Sequence, residues 1–179
     1  KITEGLDGLR DRLKKYYDLG ARFTKWRGVY SIGEKYPSKL AITCNAHALA
    51  RYSALVQESG MVPIVEPEVL MDGNHSAEVC LNKTSEVIKN CFDELIIHKV
   101  DLSGIILKPN MILAGNQSKD KISNEEVSVK TLECLKNSVP NEVPGIAFLS
   151  GGQSEIEATE NLNLINKNNN TNFIMTYSY

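Results

Sequence analysis

Four polar residues recur along the chain at nearly constant steps: Lys25, Glu66, Lys108 and Ser150 stand 41, 42 and 42 residues apart. Each falls at or near the end of a short run that reads as a strand, over 21–30, 61–68, 103–110 and 145–150, and a fifth such run covers 173–178. Helical patterns lie between them, near 38–59, 75–98, 123–138 and 154–166, with another at about 7–19. Ser123 with Glu126, and Ser154 with Glu157, fit the capping box, in which Ser caps a backbone N–H and Glu reaches back. Pro37-Ser38 opens the first long helix, and Gly20 and Gly60 follow helix ends, where a left-handed residue is wanted. Strand–helix alternation asks for a parallel sheet. A long, even βα period with reactive groups at strand C-termini is the layout of a (β/α)8 TIM barrel. A doubly wound sheet usually opens with a glycine-rich GxGxxG turn, which this chain lacks.

Side-chain parity sharpens the expectation, because residues two apart on a strand share a face. Phe23, Lys25, Arg27 and Val29 point together, as do Val62, Ile64, Glu66 and Glu68, then Gly104, Ile106 and Lys108, then Ile146, Phe148 and Ser150. Each face begins apolar or small and ends polar. Charges inside a barrel are costly unless paired or functional, so their convergence at one rim points to a site.

The individual residues admit bland readings. A lysine ending an apolar strand often snorkels. A lysine that attacks carbonyls does so as the neutral amine, which desolvation or a nearby cation favours. The apolar run Ile105-Ile106-Leu107 offers Lys108 the first, and Lys25 the second. Glu66 and Glu68 suit three roles from spacing alone: ion-pair partners for Lys25 and Arg27, metal ligands, or a proton-transfer carboxylate beside an orienting one. Ser150-Gly151-Gly152 ends a strand and opens a capped helix, where free N–H groups and the helix dipole favour an anion.

Composition excludes several classes. A net charge of −2 with no basic run among aromatics argues against nucleic acid. No apolar stretch approaches the roughly 20 residues of a membrane helix. Cys44, Cys80, Cys91 and Cys134 have neither zinc-site nor dithiol spacing, and reduced thiols imply a cytoplasmic protein. His47, His75 and His98 lie in or beside helices away from the rims, where structural roles are expected. Two polar linkers, Ala114–Ile122 and Lys167–Asn172, are expected to be exposed.

Several blocks together resemble the class I (Schiff-base) fructose-bisphosphate aldolases: Lys25-Trp26-Arg27, Leu49-Ala50-Arg51-Tyr52, Val62-Pro63-Ile64-Val65-Glu66-Pro67-Glu68, Leu107-Lys108-Pro109-Asn110-Met111 and Phe148-Leu149-Ser150-Gly151-Gly152-Gln153-Ser154-Glu155. The resemblance runs from end to end. It implies aldol cleavage of fructose 1,6-bisphosphate, with Lys108 as the Schiff-base lysine and Glu66 as the proton-shuttling carboxylate. Lys25 matches a charge-stabilising lysine and Glu68 an orienting acid. Arg27 matches a contact for the C6-phosphate end, and Ser150, Gly151 and Gly152 the C1-phosphate loop. It implies no metal and no cofactor, a sugar bisphosphate as partner, and a homo-tetramer for the full-length protein.

It further implies that 1–179 forms one partial barrel domain holding about strands four to eight. Lys1 is not an initiator methionine, so the chain is expected to begin inside a longer protein. The 179-residue piece by itself is expected to be inactive and prone to aggregate, having two unpaired edges. Two rival readings stand beside this one: a related Schiff-base enzyme acting on another sugar phosphate, and a non-catalytic truncated barrel.

Overall fold

The computed structural model describes residues 1–179. Five helices and five strands alternate: α1 (Leu9–Asp18), β1 (Phe23–Tyr30), α2 (Lys39–Glu58), β2 (Val62–Val69), α3 (Ala77–Ile97), β3 (Ile106–Leu107), α4 (Asn124–Ser138), β4 (Gly145–Phe148), α5 (Glu155–Asn168) and β5 (Ile174–Tyr177). The strands lie in chain order, every neighbouring pair parallel. With each strand beside its predecessor and crossovers of one hand, the intervening helices cover one face of the sheet. The other face is the inner wall of a partial (β/α) barrel.

The expected helix signals are present as side-chain contacts. Ser123 and Ser154 each form a full capping box with Glu126 and Glu157. Ser38 and Ser76 cap α2 and α3 by accepting from Ala41 N and Val79 N. Between helices and sheet lies one large core, in which Val65, Leu107, Ile146, Phe148 and Met175 from the strands meet Leu81, Ile88, Leu95, Leu132 and Ile165 from the helices.

Register corrects the expected parity of the fourth strand. Lys25 pairs with Ile64, Ile64 with Ile106, and Ile106 with Gly145, so these share the inner face. Ile146 pairs with Leu107 and Met175 on the helix face, and Phe148 lies in the same core. Gly145 and Ala147 therefore face inward. A barrel strand is apolar on both faces, which hides its parity from sequence alone. The strand ends also move. Lys25 is the third residue of β1 and Glu66 the fifth of β2, both well short of the C-terminal ends, while Ser150 lies in the turn beyond β4. Gly104 sits in a 3-10 turn before a two-residue β3.

The linker expected to be exposed over Ala114–Ile122 is docked at its start. Gly115, Asn116 and Gln117 donate backbone hydrogen bonds to the oxygens of His75, Met71 and Gly73, and Ala114 is buried. A Cβ at Gly115 would stand 2.3 Å from Gly73 O, so only glycine permits this approach. The asparagine-rich linker is held by its own side chains, Asn169 Oδ1 accepting from Thr171 N at 2.8 Å.

Because Phe148 faces the helices, Phe148→Ala is expected to cost about 3–5 kcal/mol. A urea midpoint close to wild type in chemical denaturation of the full chain would contradict this placement.

Candidate active site on the inner face of the sheet

Three of the charged residues meet directly. Lys108 is the first residue after β3, and its N–H continues the ladder to Val65 O at 2.7 Å, which sets it beside Glu66. Its Nζ lies 3.4 Å from Glu66 Oε1. Lys25 enters two residues earlier in register on β1, and its long stem brings Nζ to 3.1 Å from Glu66 Oε2. The Glu66 side chain is 3% exposed, Lys108 9% and Lys25 47%. One buried carboxylate thus lies between two lysine amino groups, one sheltered and one open to the inner face. Glu66 Oε2 has no aligned hydrogen bond, so the pairing with Lys25 is an ion contact that leaves a lone pair for a ligand or a proton.

Arg27 and Glu68 form the neighbouring pair, with NH1 at 3.2 Å from Oε2. Burial pushes the Glu68 carboxyl above its ordinary range, an effect that Arg27 opposes and the Glu66 charge adds to. Like Glu66, Glu68 keeps one buried oxygen without an aligned donor.

Asn110 holds the rim together, and the sequence reading missed it. Its Oδ1 accepts from Val69 N at 3.0 Å, and its Nδ2 donates to Thr84 Oγ1 and to Met111 O, each at 3.1 Å. It therefore ties the end of β2 to α3 and to the segment carrying Lys108. A lone Asn after Lys-Pro carries no signal by itself, because two of its partners, Val69 and Thr84, come from distant parts of the chain.

The Ser150-Gly151-Gly152 turn sits at the same rim, because Pro109 O, beside Lys108, accepts from Leu149 N, beside Ser150. Gly151 and Gly152 have φ of 60° and 78°, which favours glycine at both. A second residue missed in the sequence, Gln153, braces this turn: its N and Nε2 donate to Ser150 O, and Asn161 Nδ2 donates to its Oε1 at 2.6 Å. The Gly151 and Gly152 N–H groups have no acceptor within the chain, and the capped start of α5 follows them. This turn makes no direct contact with the ion pairs. It lies three strand spacings from Arg27, on the order of 14 Å. The two ends suit a ligand with an anionic group at each, and the lysine–carboxylate cluster between them suits carbonyl chemistry.

Comparisons with known proteins place the chain and its fold. A family model described as fructose-bisphosphate aldolase class-I matches residues 1–179. The chain is 50% identical over 178 residues to a probable fructose-bisphosphate aldolase class 1 of Xanthomonas campestris pv. campestris, covering 99% of this chain and 53% of that one. It is 51% identical to cytosolic fructose-bisphosphate aldolase 4 of Arabidopsis thaliana, covering 99% of this chain and 45% of that one. The fold matches the aldolase of Plasmodium falciparum, solved in a ternary complex with TRAP and a small-molecule inhibitor. That match has a TM-score of 0.97 and 46% identity, and covers 99% of this chain and 52% of that one. The chain spans about half the length of the curated relatives it matches.

Raised by burial, Glu68 binds its proton more tightly folded than unfolded, so its contribution to stability is greatest in acid and declines as pH rises through the folded value. Wild type minus Glu68→Gln stability is therefore expected to grow as pH falls from neutral toward 4.5, the unperturbed carboxyl value. Denaturation midpoints measured across that window test the sign, and the opposite slope would contradict it.

Proposed function

The chain belongs to the class I fructose-bisphosphate aldolases, and from that premise we propose that the protein it comes from cleaves fructose 1,6-bisphosphate reversibly, through a Schiff base on Lys108. The contact of Lys108 Nζ with a buried Glu66 oxygen at 3.4 Å carries this reading. The amine of Lys108 attacks the C2 ketone. Glu66 then moves the protons that turn the carbinolamine hydroxyl into departing water, leaving a protonated imine. The C4 hydroxyl gives up its proton, the C3–C4 bond breaks, and its electron pair passes into the imine to form an enamine. Glyceraldehyde 3-phosphate leaves. Protonation of the enamine at C3 and hydrolysis of the imine release dihydroxyacetone phosphate and free Lys108.

Lys25 stabilises the negative charge that develops at this centre, and its position 3.1 Å from Glu66 supports that role. Glu68 orients the network through Arg27. Arg27 takes the C6-phosphate end, and the N–H groups at Ser150, Gly151 and Gly152 take the C1 phosphate, a role supported by their lack of acceptors within the chain. Cytosolic location and homo-tetrameric assembly belong to the same proposal. The first is supported by cytosolic relatives and the second by family resemblance alone. No helix is long and apolar enough to cross a membrane.

Borohydride reduction of the full-length protein in the presence of dihydroxyacetone phosphate is expected to label Lys108, and Lys108→Met to abolish both label and cleavage. Glu66→Gln is expected to slow turnover by about 10²–10⁴-fold. Labelling at another lysine would overturn the assignment. The 179-residue polypeptide made alone is expected to show no cleavage, because its five strands leave two unpaired edges and an uncovered inner face; robust turnover by that piece would refute this.

A further inference from the structure

On the outer surface, away from the reacting cluster, His47 of α2 meets Glu94 and His98 at the C-terminal end of α3. His47 Nδ1 lies 3.1 Å and His98 Nδ1 3.5 Å from the same Glu94 oxygen. One ligand atom from each residue falls within 4.8 Å of the others. The two imidazoles stack edge-on with centroids 4.8 Å apart. We propose that His47, Glu94 and His98 form a binding site for a borderline divalent transition metal of the zinc class, which ties α2 to α3.

Four observations carry this. Tetrahedral ligands at 2.0–2.1 Å from zinc stand about 3.3–3.4 Å from one another, and the 3.1 Å between His47 Nδ1 and the Glu94 carboxylate is already close to that figure. Two imidazoles with one carboxylate select zinc, cobalt, nickel or copper over magnesium and calcium, which take all-oxygen shells. Glu94 O accepts the His98 Nδ1 hydrogen at 2.8 Å, the kind of backbone contact that sets the tautomer of a metal-binding histidine and leaves Nε2 as donor. Finally, His98 is the C-cap of α3, where the helix dipole favours a cation. His98 also lines a cleft of about 450 Å³ between α1 and α2. The nearby cations are Arg51, one turn beyond His47 and lining the same cleft, and Lys99. Both are exposed and screened by solvent.

The site stands apart from the proposed aldol chemistry. The end of α3 leads into the start of β3, whereas Lys108 follows the end of that strand. Its role is a clamp between the two helices that flank β2.

The full-length protein, stripped with a chelator, is titrated with Zn2+ by calorimetry and with Co2+ by visible absorption. One equivalent is expected to bind, with tetrahedral Co2+ bands, and zinc is expected to raise the melting temperature. His47→Gln and His98→Gln are each expected to weaken binding by at least about tenfold, the loss that even an outer-shell change brings. Lys83→Gln, which removes a surface ion pair elsewhere on α3, is expected to bind as wild type. Far-UV circular dichroism confirms folding of the variants, and aldolase activity is expected to be unchanged in all three. Undiminished binding by the His47→Gln/His98→Gln double variant overturns the proposal. So does absence of binding to wild type, or a thiolate charge-transfer band placing the metal on Cys44.

Discussion

A carboxylate buried to 3% exposure on the wall of a parallel sheet has to be compensated where it stands, and in this chain Lys25 and Lys108 do that for Glu66. Desolvating an ion costs several kcal/mol even after the surroundings relax, and removing one partner of a buried pair leaves that cost uncompensated. The two lysines arrive from different strands and at different depths. Lys108 is itself sheltered, whereas Lys25 is half open, so the cluster has one wall sealed by apolar packing and one side accessible. The charges hold one another in place while leaving lone pairs on Glu66 and Glu68 uncommitted.

That arrangement depends on register more than on strand length. β3 contributes only two ladder residues, yet the hydrogen bond from Lys108 N to Val65 O carries the alignment one residue further, to the nucleophile proposed here. A slip of one residue would turn Lys108 into the helix-facing core and Leu107 into the site. Asn110 guards against this. Its amide spends both ends on the backbone of β2 and β3 neighbours and on Thr84 of α3, so the segment after Lys108 cannot shift without breaking several buried bonds at once. Gly115 against Gly73 and Gln153 under Ser150 do comparable work for the loops on either side.

The outer surface follows a different logic. α2 and α3 pack through Leu49, Ile88, Cys91 and Leu95, and polar groups along their seam are left to pair with one another. His47, Glu94 and His98 meet there because the crossing brings the middle of one helix to the end of the other. The packing that seats β2 with Glu66 and Glu68 therefore also builds a second cluster of nitrogen and oxygen donors on the far side of those helices.

Much of this was legible in one dimension. Strand and helix order, both capping boxes, the even 41–42-residue step and the charged inner faces of β1 and β2 are local or periodic properties, and the blocks around Lys25, Glu66, Lys108 and Ser150 carry their chemistry in residue type. The placement of Lys108 beside Glu66 follows from parity, because the charged ends mark which face of those strands is inward. Phe148 and Ile146 could not be assigned that way, since a strand apolar on both faces has no internal mark of its orientation and only pairing with β3 decides it. The roles of Asn110, Gln153 and Gly115, and the meeting of His47 with Glu94 and His98, arise only in three dimensions. Each joins residues from different elements, and sequence spacing does not encode how two helices cross or where a loop comes to rest.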